Sequence, residues 1–167
     1  MKKYIRLLAL LLFKLLPKSK FYKFKNKLLN LVGMKISLSA RIFSTVQIFG
    51  PNIVEIGDDT FIGHEVLITG SKDSQVIIGN YVDIAPKVII NTGTHHIDTE
   101  GLHVAGKGIG KDIIIKNGSW IGMGSILLPG ITIGQKSIIA AGSIVTKDVE
   151  DNVLVAGNPA VVKRRLK

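Results

Sequence analysis

From Ile36 to Val145 an aliphatic residue returns every six positions, broken in only three places. The run 36, 42 and 48 is followed by 56, 62 and 68, then by 78, 84 and 90. It resumes at 115 and continues in steps of six to 145. Thirteen of these fifteen positions are Ile, one is Leu127 and one is Val145. Four residues after most of them stands a small or β-branched residue, such as Thr60, Val66, Val82, Ser119, Ser125 or Ser137. Glycine often follows the aliphatic residue directly, as at Gly57, Gly63, Gly79, Gly122 and Gly134. Fixed self-similarity of this kind marks a solenoid. Each hexapeptide supplies one short strand and one turn, and about three of them close a triangular coil of roughly 18 residues. The aliphatic residue points inward, the small residue shares the crowded interior near the corner, and glycine tolerates turn conformations that a Cβ resists. Fifteen inward positions give about five coils of stacked parallel strands. A sandwich would show period two with irregular turns instead.

Ahead of the repeat lie two stretches with helical character. Residues 4–16, YIRLLALLLFKLL, end at Pro17 and are too short for a membrane span, which takes about 20 apolar residues. No small-residue cleavage site follows Leu16, so a cleaved leader is not expected. A second helix is expected from Ser19, as cap, to Val32, with Gly33 ending it and Phe21, Phe24, Leu28 and Leu31 along one face. The division predicted is a basic amphipathic helical segment over 1–34, a β-helix over 35–156 and a C-terminal tail or short helix over 157–167.

Composition sharpens this. Of the residues, 46% are hydrophobic but only 6% aromatic, so the core is aliphatic. Cysteine is absent, which excludes disulfides, Cys-ligated zinc and a cysteine nucleophile. The formal charge is +10, and its excess lies wholly before Glu55, the first acid in the chain. The near-neutral remainder argues against a nucleic-acid partner. Basic residues around apolar positions in 1–32 suit an anionic membrane surface. Capping the open end of the solenoid is the plainer role for the same helices, and the two are compatible.

The longest break, from Ile90 to Ile115, reads NTGTHHIDTEGLHVAGKGIGKDII and holds three of the four histidines. Long excursions from a regular solenoid carry function or disorder, and the chemistry is placed in this loop, residues 91–114. Imidazole is the side chain suited to accept a hydroxyl proton at neutral pH. No Gly-x-Ser-x-Gly elbow is present, so nothing points to a covalent acyl-enzyme.

The tracts DIAPKV, TGTH, SWIGMGSILLPGITIG, IIAAGSIVTKDV and AGNPA, within residues 76–165, resemble the hexapeptide-repeat acetyltransferases. The resemblance is to their maltose, galactoside and surface-polysaccharide O-acetyltransferases. It implies an all-β, left-handed parallel β-helix that moves acetyl from acetyl-CoA directly to a sugar hydroxyl, with no metal. It gives His95 the role of general base. His96 stands where relatives often carry Asp, Glu or Pro, and His96, Asp83 and Glu65 are the groups that would assist, with Asp98 comparable to Asp83. His64 and His103 would be solvent-exposed or line the acceptor. Trp120, Met123, Ala141, Thr146, Lys147, Asn158, Pro159 and Arg164 match cofactor-lining positions, with Lys163 and Arg165 near the CoA phosphates. A homotrimer with active sites between subunits is implied. So is a sugar or lipid-linked glycan acceptor in bacterial surface-polysaccharide synthesis; the basic, apolar N-terminus adds the expectation of a cytoplasmic protein, peripheral on the inner face of the cytoplasmic membrane. An N-acetyltransferase on an amino sugar would use the same base and donor. A zinc hydratase of the same fold needs three converging histidines, which adjacent His95 and His96 with His64 supply poorly. A non-catalytic scaffold is the remaining class.

Overall fold

The computed structural model describes residues 2–50 and 53–166, with side chains from residue 8 onward. The side chains of Lys2, Lys3 and Arg6, part of the cationic run, lie outside the described residues. Two helices, α1 (Lys2–Leu15) and α2 (Tyr22–Leu31), precede the strands. Coil one holds β1 (Lys35–Ile36), β2 (Arg41–Ile42) and β3 (Gln47–Ile48). Coil two holds β4 (Ile53–Ile56), β5 (Phe61–Ile62) and β6 (Leu67–Thr69). Coil three holds β7 (Gln75–Ile78), β8 (Asp83–Ile84) and β9 (Ile89–Asn91). A hairpin, β10 (Gly93–Ile97) and β11 (Ala105–Gly110), interrupts the winding. Coil four then follows as β12 (Ile113–Ile115), β13 (Trp120–Ile121) and β14 (Ile126–Leu127). Coil five is β15 (Thr132–Ile133), β16 (Ile138–Ile139) and β17 (Ile144–Val145), and the chain closes with β18 (Val153–Ala156) and β19 (Val161–Arg165).

Parallel pairing makes three faces: β1-β4-β7-β12-β15, β2-β5-β8-β13-β16-β18, and β3-β6-β9-β14-β17. This is the left-handed parallel β-helix of about five coils that the period predicts. Register is set by the repeat itself, for Ile42, Ile62, Ile84, Ile121 and Ile139 stack one above another on the second face. Fourteen of the fifteen periodic positions are buried, and Ile48, the exception, packs against the core from the first coil.

The fourth-position residues do more than fit. Buried Thr60 donates from Oγ1 to the Gly79 carbonyl at 2.7 Å, Ser119 from Oγ to that of Gly134 at 2.8 Å, and Ser137 from Oγ to that of Glu150 at 2.6 Å. Each hydroxyl ties one coil to the next, so these three buried side chains are paired. The glycines after the aliphatic residue require a corrected explanation. Gly63 and Gly122 have ordinary negative-side backbone. A Cβ on Gly63 would lie 2.9 Å from the Pro86 nitrogen, and one on Gly122 would lie 2.5 Å from that of Ala141. Close approach of the next coil demands these glycines, not turn conformation.

The chain end is also corrected. Residues 161–165 are not helical: β19 runs antiparallel along β18. The outer edge of β18 would otherwise leave its backbone groups unpaired, and β-branched Val161 and Val162 favour the extended form.

At the other end, α2 begins two residues later than the sequence pattern suggests. Phe21, not Ser19, sits at its N-cap with φ 57° and no side-chain cap bond. Of the stripe Phe21, Phe24, Leu28 and Leu31 only Leu28 is buried, together with Lys25, Asn26 and Leu29, while the other three are exposed. Asn30 pairs with Ile36 as a strand would: its Nδ2 donates to the Ile36 carbonyl at 2.9 Å and its Oδ1 accepts from the Ile36 N–H at 2.8 Å. Asn26 Nδ2 donates to the carbonyls of Ser37 and Ala40, both at 2.8 Å. Two side-chain amides thus close the open edge of coil one. Lys25 Nζ donates to the Lys18 carbonyl at 2.9 Å, and burial lowers its pKa from 10.5 to about 8. Because Asn26→Ala strands two carbonyls, it should cost about 2–3 kcal/mol, read as a lower urea midpoint with unchanged slope.

Candidate active site

The predicted loop is a two-stranded ribbon rather than an irregular excursion. His95 lies on β10 opposite Gly108 on β11, with a register shift between His95 and Ile97. A Cβ on Gly108 would sit 3.7 Å from His95 Nε2, so the bare glycine leaves the imidazole room on that side. His95 and His96 are both exposed, and as neighbours on a strand they point to opposite sides of the ribbon. Neither ring has a hydrogen-bond partner among the described residues. Asp98 turns to the tip instead, its Oδ1 accepting from the N–H groups of Glu100 and Gly101 at 3.1 and 2.8 Å. The tip carries Ile97, Leu102 and Val104, which are 82%, 99% and 68% exposed. His103 is exposed beside them.

The remaining sequence-selected residues fall on two edges of the prism. The first edge joins the third face to the first. The hairpin leaves from it after β9, and Thr146 and Lys147 follow β17 on it, two strands farther along. The second edge joins the second face to the third. His64, Glu65, Lys87, Met123, Ala141 and Asn158 stack there, and backbone bonds link their turns. The Lys87 N–H donates to the His64 carbonyl at 2.9 Å, that of Gly124 to Pro86 at 3.1 Å, and that of Gly142 to Met123 at 2.8 Å. On this edge His64 Nδ1 lies 2.8 Å from Thr45 Oγ1. Glu65 lies between His64 Nε2 at 3.1 Å and Lys87 Nζ at 3.9 Å. Asp83 and Trp120 are neighbours in register on the outside of the second face, with Trp120 53% exposed. Arg164 pairs with Leu154 at the end of that face, and Pro159 follows Asn158.

The two edges are separated by the third face, six residues wide, or at most about 20 Å. Among the described residues no hydrogen bond or ion pair links Asp83 or Glu65 to His95, and the cofactor-lining set is split between the two edges. Among the described residues no three His, Asp or Glu side chains converge as a metal shell; His64 and the His95–His96 pair sit on different edges. The motifs do not select Thr45 or Lys87. The signal for Lys87 is its place in DIAPK, at the same turn position as Glu65 one coil earlier.

A family model described as bacterial transferase hexapeptide (six repeats) matches residues 112–147. The galactoside O-acetyltransferase of Escherichia coli (strain K12) is 35% identical over 157 residues, covering 89% of this chain and 77% of that protein. The chain belongs to the hexapeptide-repeat acetyltransferase family. Another member, the galactoside O-acetyltransferase of Lactococcus lactis subsp. lactis (strain IL1403), is 37% identical over 118 residues. This chain spans 56% of that relative's length. The structure of a galactoside acetyltransferase in complex with coenzyme A superposes with a TM-score of 0.78 at 30% identity, over 99% of this chain and 81% of that one. The likeness to the coenzyme A complex spans the coils on both sides of the hairpin, which is the longest of the three departures from the repeat.

Proposed function

We propose that the protein transfers the acetyl group of acetyl-CoA to a sugar hydroxyl, as in surface-polysaccharide synthesis, with His95 as general base. The observation that carries this reading is the placement of His95, an unpaired imidazole on a ribbon that projects from the coil with Gly108 beneath it. An imidazole nitrogen takes the acceptor hydroxyl proton as the oxygen attacks the thioester carbonyl. The tetrahedral intermediate collapses with loss of the thiolate, which takes the proton back from His95. No residue is acylated on the way.

The site closes between copies of the chain. The hairpin edge of one subunit meets the Glu65–Lys87–Met123–Ala141 edge of the next, in a homotrimer. The exposed tip residues Ile97, Leu102 and Val104 and the exposed Trp120 are the apolar surface such a contact buries. Coenzyme A then lies along the cleft, against Trp120, Met123 and Ala141 on one side and Thr146 and Lys147 on the other. Asn158, Pro159 and Arg164 stand at its far end. His96 and Asp83 flank the site rather than orient His95 within one chain.

Thiol release from acetyl-CoA, followed with a panel of free sugars, amino sugars and lipid-linked glycans, tests the reaction class. The expected result is release that depends on a hydroxyl acceptor. Release only with amino sugars would make the enzyme an N-acetyltransferase. Failure both to bind coenzyme A and to release thiol would leave a scaffold.

A further inference from the structure

Helix α1 is apolar on both sides. Ala9 and Phe13 are buried, with Leu16 packed against the core just beyond the helix. The opposite stripe, Leu8, Leu11, Leu12 and Leu15, recurs at steps of three, one and three, and is 58%, 53%, 41% and 73% exposed. A helix that is hydrophobic all round belongs between two apolar surroundings, and coil one supplies only one of them. Helix α2 continues the pattern. Its inward face is taken by Lys25, Asn26, Leu28 and Leu29, so Phe24 and Leu31 are turned to solvent with Lys20, Lys23 and Lys27 beside them. Phe21, Phe24 and Leu38 line a shallow groove of ≈ 440 Å³ bordered by Lys23 and Arg41. A second apolar groove, ≈ 230 Å³, opens between α1 and the third face, with Lys14 among its lining residues.

We infer that this helical layer docks the protein on an anionic lipid bilayer, its outward leucines and phenylalanines entering the acyl boundary and its lysines meeting the headgroups. The charge selects this occupant. No acid occurs before Glu55, so the layer offers cations and apolar groups only. Two copies of the patch face to face would set lysine against lysine, whereas an anionic leaflet pairs with the exposed Lys14, Lys18, Lys20, Lys23 and Lys27. No described helix is long and apolar enough to cross a membrane, so the contact is interfacial.

Docking also sets an orientation. On the third face β9 lies two strand spacings beyond β3, roughly 10 Å, and a helix layer adds about 10 Å. The His95 ribbon therefore springs about 20 Å from the lipid surface, and the later coils point away from it. Resting on the acetyl-transfer reading, this geometry favours acceptors carried on membrane lipid over free sugars.

Sedimentation of the full chain with phosphatidylcholine vesicles, with and without phosphatidylglycerol, tests the docking. Removing residues 1–32 would not, because Phe13, Leu28, Leu29 and Asn26 close coil one. The test variants are Leu11→Glu with Leu15→Glu, and Lys23→Glu with Lys27→Glu, all at exposed positions. The wild type should bind anionic vesicles at least about tenfold more tightly than neutral ones, less so as salt rises. Each double variant should lose about tenfold or more while keeping thermal stability and turnover of a soluble acceptor. Failure of the wild type to sediment with anionic vesicles, or equal binding by the variants, would overturn the inference. So would a changed oligomer mass in the leucine variant, since the stripe would then be an interface between copies. Absence of acetyl transfer by the wild type, with binding to anionic vesicles intact, would count against the acetyl-transfer reading alone.

Discussion

Replacing His95 by alanine should lower kcat for acetyl transfer about 10²–10⁴-fold, the usual contribution of a positioned general base, with KM for acetyl-CoA little changed. The melting temperature should not move. His95 is exposed, makes no side-chain hydrogen bond among the described residues and lies opposite Gly108 on a ribbon outside the prism, so its removal opens no cavity and strands no buried partner. Activity retained within about threefold would take the base away from His95, and His96→Ala would be the next variant. A mixing experiment locates the site. If one subunit gives the hairpin and the next gives the Met123–Ala141 edge, His95→Ala chains and Ala141→Arg chains are each inactive alone. Co-assembled in equal amounts, they place a sound hairpin against a sound edge at about a quarter of the sites. Recovery near a quarter of wild-type activity is the expected result. No recovery, with mixed trimers shown by mass, would put the whole site within one chain.

Gly122→Val should be the most destabilising single change along the edge. An added Cβ meets the Ala141 nitrogen at 2.5 Å, the Ile139 carbonyl oxygen at 2.7 Å and the Ala140 carbonyl carbon at 2.8 Å. All three are backbone atoms of the next coil, which cannot turn aside as a side chain does. A cost of at least about 4 kcal/mol follows, or a melting temperature lowered by roughly 10 °C or more. Gly124→Ala, two residues on, is the control. Its Cβ would meet nothing within 4 Å, but its φ of +68° penalises a side chain, so only about 1 kcal/mol should be lost. Equal effects at the two positions would show that turn conformation, not coil spacing, governs the repeat.

The contrast between these glycines shows how far the sequence could be read. That Gly122 is needed is visible from the repeat; why it is needed depends on a strand eighteen residues later lying directly above it. The same holds for the helices. Their existence, the end near Gly33 and their charge are local properties of the chain. Which face α2 buries is not, because Asn26 and Asn30 are ordinary polar residues until the unpaired edge of Ser37, Ala40 and Ile36 lies opposite them. The spacing of Phe21, Phe24, Leu28 and Leu31 marks an amphipathic helix but does not tell that Leu28 alone of the four turns inward. At the C-terminus, likewise, the edge of β18 recruited Val161–Arg165 as a strand where the local sequence suggested a helix.

By itself the sequence determined the coil. A six-residue period with one large aliphatic residue per turn has a single way to bury every such residue, and it fixes number, register and stacking because each coil satisfies its neighbour. The same string pointed to the one long departure from that period as the place for the proposed chemistry. Only the tertiary structure decided what that departure can reach. His95 and Ala141 carry motifs equally suited to one site, yet winding sets them on different edges of the prism. Edges are assigned by counting turns around a closed triangle, and the apolar surfaces left over there become visible only once every other apolar residue has been accounted for inside.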